Sequence, residues 1–112
     1  EEEVKYVYDA STLSIETLTD RTTAVIVQLL AEIGRADETA ILYKDTIIPQ
    51  AQQTLETDQS AYANGEVEFD RLTRDFRSLL MLQLGYHQAV ADRAIAVAEL
   101  QRVVGETTPL LD

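Results

Sequence analysis

Apolar residues recur at alternating intervals of three and four along the second half of the chain. The positions are Phe69, Leu72, Phe76, Leu79, Gln83, Tyr86, Val90, Arg93, Val97, Leu100 and Val104, and only Gln83 and Arg93 among them are polar. This spacing is typical of the seam of a coiled coil. Gly105 and Pro109 then provide a stop signal. The pattern predicts a helix over residues 67–105 and a C-terminal tail over residues 106–112.

The first half of the chain carries a matching stripe, formed by Ile41, Ile48, Leu55 and Tyr62 with Ala51 between them. Few helix-breaking residues interrupt the pattern there, so one long helix over residues 14–63 fits best. Pro49 lies inside this helix, where it removes a backbone hydrogen bond. We therefore expect a kink near residues 46–49. Two separate helices broken at this point are the alternative.

The strongest break between the two stripes is Asn64-Gly65, a pair that tolerates the left-handed backbone conformation that ends a helix. Three acidic residues, Glu66, Glu68 and Asp70, follow at once. Negative charge is favourable at the exposed N–H groups of a helix N-terminus. We expect a turn over residues 64–66 between the two helices.

The two stripes also predict how the helices align. If Tyr62 faces Phe69 across the turn, the other facing pairs are Leu55 with Phe76, Ile48 with Gln83, Ile41 with Val90, and Val27 with Val104. The sequence thus predicts an all-α fold, a long antiparallel coiled-coil helical hairpin. Residues 1–13 are expected to form an extended or disordered arm, because Val4, Tyr6 and Tyr8 alternate with their neighbours.

Both predicted helices carry more apolar residues than one seam requires. The excess comprises Val25, Ile26, Val27, Leu29, Leu30 and Ile33 in the first helix, and Leu80, Met81, Leu82, Leu84, Ala91, Ala94 and Ala98 in the second. A helix that is apolar on more than one face needs more than one neighbour. The hairpin should therefore pack into a larger helical bundle or barrel.

Charge narrows the range of partners. The 9 Lys and Arg residues against 20 Asp and Glu residues give a formal net charge of -11, which repels nucleic acid and anionic membrane surfaces. The longest uncharged stretch, residues 78–91, is too short to span a bilayer as a helix, so we do not expect this piece to insert into a membrane. Because the chain begins with Glu1 and shows no export signal, we interpret it as a piece of a longer protein.

The sequence offers little for catalysis. Cysteine is absent, His87 is the only histidine, and no nucleophile elbow or phosphate-binding glycine loop occurs. No His or carboxylate spacing around His87 matches a metal site. We expect neither an enzyme nor a bound cofactor or metal.

Four segments, in order, resemble the helical hairpins of the outer-membrane efflux proteins, the TolC-like channels of bacterial multidrug and heavy-metal export. Residues 42–51 read LYKDTIIPQA against the family's LYxxxLLPQA, and residues 62–69 read YANGEVEF against YxxGxxxF/Y. Residues 79–86 follow LLxxxLxY, and residues 100–105 follow LxxxVG. The resemblance implies a periplasmic hairpin from one repeat of a channel whose intact trimer joins a membrane β-barrel to a tunnel of helices.

The same resemblance implies a role for the turn. In that family the hairpin tips form the periplasmic mouth and meet the adaptor protein, which links the channel to an inner-membrane pump. The corresponding residues here are Tyr62, Asn64, Gly65, Glu66 and Val67, of which Tyr62 and Gly65 match the motif itself.

The charges near this mouth depart from the family's pattern, in which some members carry an acidic ring. Here Arg71 and Arg74 lie beside Asp70 and Asp75. The pairs Asp70–Arg74 and Arg71–Asp75 are spaced four apart, so ordinary salt bridges within the helix are favoured over a gating role.

A different function class fits the heptads as well. A structural coiled-coil module, including the hairpin of an adaptor, would recruit partners through its ends without lining a pore. An export signal, a second related hairpin and amphipathic strands in the flanking coding sequence would favour the channel over this alternative.

Overall fold

The computed structural model describes the backbone of residues 1–111 and the side chains of residues 1–107. It contains helix α1 (Glu2–Leu42), a π-helical turn (Tyr43–Ile47), helix α2 (Ile48–Ala63) and helix α3 (Phe69–Leu111). The first three elements form one arm and α3 packs antiparallel against it, with extents of 92 × 21 × 15 Å. The all-α helical hairpin predicted from the sequence is confirmed.

The first arm continues through Pro49 by changing its hydrogen-bond spacing. Proline cannot donate the bond that an α-helix would require from residue 49 to the carbonyl of Asp45. Directly before it, the N–H of Ile48 donates to the carbonyl of Tyr43, five residues back, as in a π-helix. Pro49 itself falls in the first turn of α2, where a missing N–H is tolerated. The irregularity therefore lies at Tyr43–Ile47, slightly before the expected kink.

The predicted N-terminal arm is helical, because α1 begins at Glu2. Its Val4, Tyr6 and Tyr8 side chains are exposed, and residues 1–111 contain no strand that could pair with an extended backbone. A helix satisfies that backbone internally, and Glu2 and Glu3 suit the positive end of its dipole. The alternation of residues 4–8 was therefore misleading.

The predicted stop at Gly105 is also wrong, since α3 continues through residues 106–111 to Leu111. Arg102 bridges the expected end, with Nε donating to Glu99 and Nη1 donating to Glu106 at 2.9 Å. Ion pairs at spacings of three and four support the last turns of a helix. Asp112, the end of the predicted tail, lies outside the described residues.

The seam between the arms agrees with the prediction only in part. Leu79 is buried as expected, but Phe69, Phe76 and Val90 are 61%, 54% and 43% exposed. The predicted positions that are half-buried are Leu72, Gln83, Tyr86, Val97 and Leu100. Residues one position earlier at alternate sites are also buried or half-buried, namely Asp75, Leu82, Ala89, Ala96 and Val103. In the first arm the buried apolar residues are Leu29, Ala36 and Leu55, whereas Ile41 and Tyr62 are exposed. Alanine at three buried positions lets the helices approach closely.

The turn has the hydrogen bonds of a Schellman motif. The N–H of Glu66 donates to the carbonyl of Ala61 at 2.8 Å, and that of Gly65 donates to the carbonyl of Tyr62 at 3.0 Å. Gly65 has φ +75°, in the left-handed region, whereas Asn64 has φ −90°. The turn extends to Glu68, and α3 begins at Phe69 instead of residue 67. Glycine at position 65 thus ends the first arm.

Replacing Gly65 should weaken the hairpin. We expect Gly65→Ala to lower the free energy of unfolding by roughly 1 kcal/mol, because a Cβ disfavours positive φ. Gly34→Ala is the control, since Gly34 lies inside α1 with open space around it and should gain up to about 1 kcal/mol from helix propensity. Urea denaturation followed by circular dichroism measures both, and equal shifts for the two variants would contradict the role of Gly65.

A second glycine keeps space for the π-helical turn. A Cβ at Gly85 would lie 3.1 Å from Cζ and Oη of Tyr43, so the ring would have to move. Gly85→Ala should therefore gain none of the stability that Gly34→Ala gains. The same urea experiment tests this expectation, and a gain at Gly85 equal to that at Gly34 would show that the Tyr43 contact is unimportant.

Candidate functional site

The predicted tip residues form the end of the rod. Tyr62, Asn64, Gly65 and Glu66 are exposed, and Val67 is half-buried. The ring of Tyr62 packs against that of Phe69 with centroids 5.8 Å apart, as the predicted alignment required. Both rings remain largely accessible, at 45% and 61%. The tip therefore presents an apolar aromatic pair next to acidic side chains.

The charged residues beyond the tip are arranged differently from the prediction. Nε of Arg71 lies 3.2 Å from Oδ2 of Asp58 on α2, so its ion pair crosses the hairpin instead of running to Asp75 along α3. Among the described side chains, no ion pair joins Asp70 to Arg74, and both residues are exposed. The structure brings Asp58, Arg71 and Asp75 together and leaves Asp70 and Arg74 at the surface.

Asp58 is the functional candidate that sequence reasoning missed. Asp58 is only 5% exposed to solvent. It is the one charged residue that is buried among the residues described. Its position continues the stripe of the first arm, because Leu55, Asp58 and Tyr62 are spaced by three and four. An aspartate at a seam position is the signal that could have identified it.

Asp58 and Asp75 form a coupled carboxyl pair. Oδ2 of Asp75 is buried, and no donor of the described residues reaches it while both carboxyls are ionised. Two carboxylate oxygens can hydrogen-bond to each other only when one carries a proton. That bond, together with burial and the charge of Asp58, raises the pKa of Asp75 above its ordinary value, although Arg71 and Arg74 oppose the rise.

The partner carboxyl shifts in the opposite direction. The hydrogen bond from Asp75 is the main cause that lowers the pKa of Asp58, and Arg71 adds to it, while burial acts against both. The pair therefore holds one proton more readily than two isolated aspartates would, and the proton belongs to the pair as a unit. This arrangement joins α2 to α3 near the tip.

Open grooves follow the hairpin, and two of them are lined by charged side chains. One contains Asp58 and Arg71 together with the polar side chains Gln50, Gln53, Thr54 and Thr57. The other, of about 600 Å³, lies between α1 and α3 over the buried Ala36, Ala89 and Ala96. Glu32, Asp92 and Glu99 border the second groove. Both grooves are open surfaces and neither encloses a small molecule.

No group of three or more His, Cys, Asp or Glu side chains in the described part of the chain could hold a metal ion. His87 is exposed, and its ring packs edge-on against Tyr86 with centroids 5.3 Å apart. No described helix combines the length and apolar character needed to cross a bilayer.

Comparison with known proteins assigns no family. No protein-family description, curated protein or solved structure matches the chain. The similarity to TolC-like hairpins therefore stays a prediction from the sequence.

Removing the cation beside Asp58 should weaken the contact between the arms. Arg71→Gln leaves a buried carboxylate without its ion-pair partner, so we expect a lower urea midpoint at neutral pH. Arg77→Gln changes the net charge equally at an exposed position of α3 and serves as the control. Equal midpoints for the two variants would show that Arg71 contributes nothing specific.

Proposed function

We propose that this hairpin is a segment of the periplasmic helical tunnel of an outer-membrane efflux channel. Its role there is passive conduction, in which hairpins packed side by side enclose the path of exported substrates. The support comes from the order and spacing of the four resembling segments and from the exposed apolar faces of both arms.

The exposed apolar faces are the main structural observation that supports this proposal. Ten large apolar side chains in the overlapping part of the arms are between 41% and 68% exposed: Val25, Val27, Leu30, Ile41, Leu42, Leu80, Met81, Leu84, Val90 and Ile95. A two-helix rod covers one side of each helix and leaves the other sides to solvent. Neighbouring hairpins on both flanks, as in a tunnel wall, would cover these side chains.

The tip is the proposed docking end. Tyr62 and Phe69 offer an accessible aromatic pair, and Glu66 and Glu68 place carboxylates beside it. Aromatic anchors surrounded by charge are common at protein interfaces. An adaptor protein with an apolar patch next to basic residues would fit this end, and the adaptor would connect the channel to an inner-membrane pump. The location is then the periplasmic side of the bacterial outer membrane.

A structural coiled-coil module is the second candidate function. The same exposed faces would serve an assembly of hairpins that encloses no pore, or the hairpin of an adaptor. The coding sequence on either side of this segment separates the two functions. An export signal, a second related hairpin and amphipathic strands would support the channel. The absence of all three from the complete gene would contradict the channel and favour the structural coiled-coil module.

Both functions require lateral packing, which gives a direct test. We expect the isolated chain to self-associate in a concentration series measured by sedimentation or light scattering, because its apolar faces have no partner within the hairpin. The double variant Leu80→Gln, Leu84→Gln should shift the equilibrium toward monomer, since both side chains are exposed on α3.

The matched control is the double variant Ser78→Gln, Gln88→Ser, which changes exposed polar positions of the same helix without altering net charge. It should associate like the original chain. A chain that stays monomeric at high concentration would contradict the packing role, whatever the identity of the larger assembly.

A further inference from the structure

Asp58 and Asp75 lie at matching heights on facing helices. Asp58 precedes Asn64, the residue that caps α2, by six positions, and Asp75 follows Phe69, the first residue of α3, by six. At about 1.5 Å per residue, each is roughly 9 Å along its helix from the turn. A contact between them therefore closes the hairpin just behind its tip.

This contact has too few hydrogen-bond donors when both acids are ionised. Asp58 on α2 contributes a buried carboxylate to this contact, and Asp75 on α3 contributes a second carboxylate. The cations that act on the pair, Arg71 and Arg74, also belong to α3. Arg71 contacts Asp58 through one Nε–Oδ2 approach of 3.2 Å, and its side chain is 58% exposed. The Nε donor of Arg71 thus serves Asp58, and no described donor reaches Oδ2 of Asp75.

A single proton resolves this shortage. Placed on Oδ2 of Asp75, it provides the donor that this buried atom otherwise lacks, and the carboxylate of Asp58 accepts the bond while remaining paired with Arg71. We propose that Asp58, Asp75 and Arg71 form a protonation-dependent latch, which fastens α2 to α3 beside the tip when the pair holds one proton and loosens when it holds none.

The pKa shifts define the pH window of the latch. The raised pKa of Asp75 means that its contribution to stability is present at low pH and is lost as pH rises through that pKa. The lowered pKa of Asp58 means that its contribution is present above the ordinary aspartate pKa and is lost as pH falls through the lowered value. The latch is therefore closed between the two values, in a window that includes about pH 4.

The latch concerns the alignment of the tip and is independent of the proposed efflux function. Two facing carboxylates repel each other when the proton leaves, and the polar groove beside them lets water enter. The position of the tip relative to the rest of the rod would then respond to mildly acidic conditions, with Asp58 and Asp75 as the responding groups.

Asp75→Asn tests the latch, because an amide donates to Asp58 at every pH. For the unaltered chain we expect the urea midpoint to rise as pH is lowered from neutral toward the ordinary aspartate pKa of about 4, and to fall again under more strongly acidic conditions. Asp75→Asn should lose the rise and show at neutral pH a midpoint at or above that of the unaltered chain. Asp92→Asn, an exposed change of the same type on α3, should keep the rise.

Direct titration of the unaltered chain gives a second readout that does not depend on a variant. Carboxyl carbon shifts in NMR should show Asp75 titrating above and Asp58 below the ordinary aspartate range, and Asp58→Asn should bring Asp75 back toward it. The latch is refuted if Asp75 titrates in or below the ordinary range, or if Asp75→Asn and Asp92→Asn share one pH profile.

Discussion

A helix that packs against a single partner can bury only one stripe of its surface, and this constraint governs the whole molecule. The described part of the chain has no large side chain that is completely buried, and its apolar core consists of Leu29, Ala36, Leu55, Leu79, Ala89 and Ala96. Many larger apolar side chains stay at the surface for the same reason. The exposed faces are thus a consequence of the two-helix architecture, and the stability of the rod in isolation is limited by it.

The residues that line the narrow seam differ from one part of the rod to the next. Between α1 and α3 the buried residues of the seam are Leu29, Ala36, Ala89 and Ala96, and an open groove of about 600 Å³ lies over them. At the π-helical turn the ring of Tyr43 occupies the space above Gly85. Between α2 and α3 the seam contains Leu55 and Leu79 and then the carboxyls of Asp58 and Asp75. The extra residue of a π-helical turn shifts the phase of the helix, which brings Leu55 and Asp58 to the interface.

The sequence was sufficient to predict the hairpin but insufficient to predict all the residues that form its seam. Asn64-Gly65 has chemistry that few other pairs offer, so the turn could be placed within a few residues. The seam could not, because α3 is apolar at adjacent positions such as Leu79 and Leu80, and periodicity alone does not say which one faces the other arm. Alanine counted little in a search for large apolar residues, although Ala89 and Ala96 are the most buried apolar residues of α3. Asp58 was missed because the predicted stripe of the first arm took every seventh residue, and Asp58 lies between Leu55 and Tyr62.

Among the described residues, two ion pairs cross the hairpin, and they differ in how strongly they can constrain its alignment. Arg93 and Asp37 lie 2.6 Å apart, but both side chains are almost half exposed, and solvated pairs of this kind contribute little to stability. Asp58 is buried, so any alignment that separated it from Arg71 and Asp75 would leave a carboxylate without partners in the seam. Apolar stripes tolerate a shifted alignment far better than such a group does. We therefore infer that the buried charge near the tip contributes more to selecting one alignment of the two helices than the apolar contacts along the arms do.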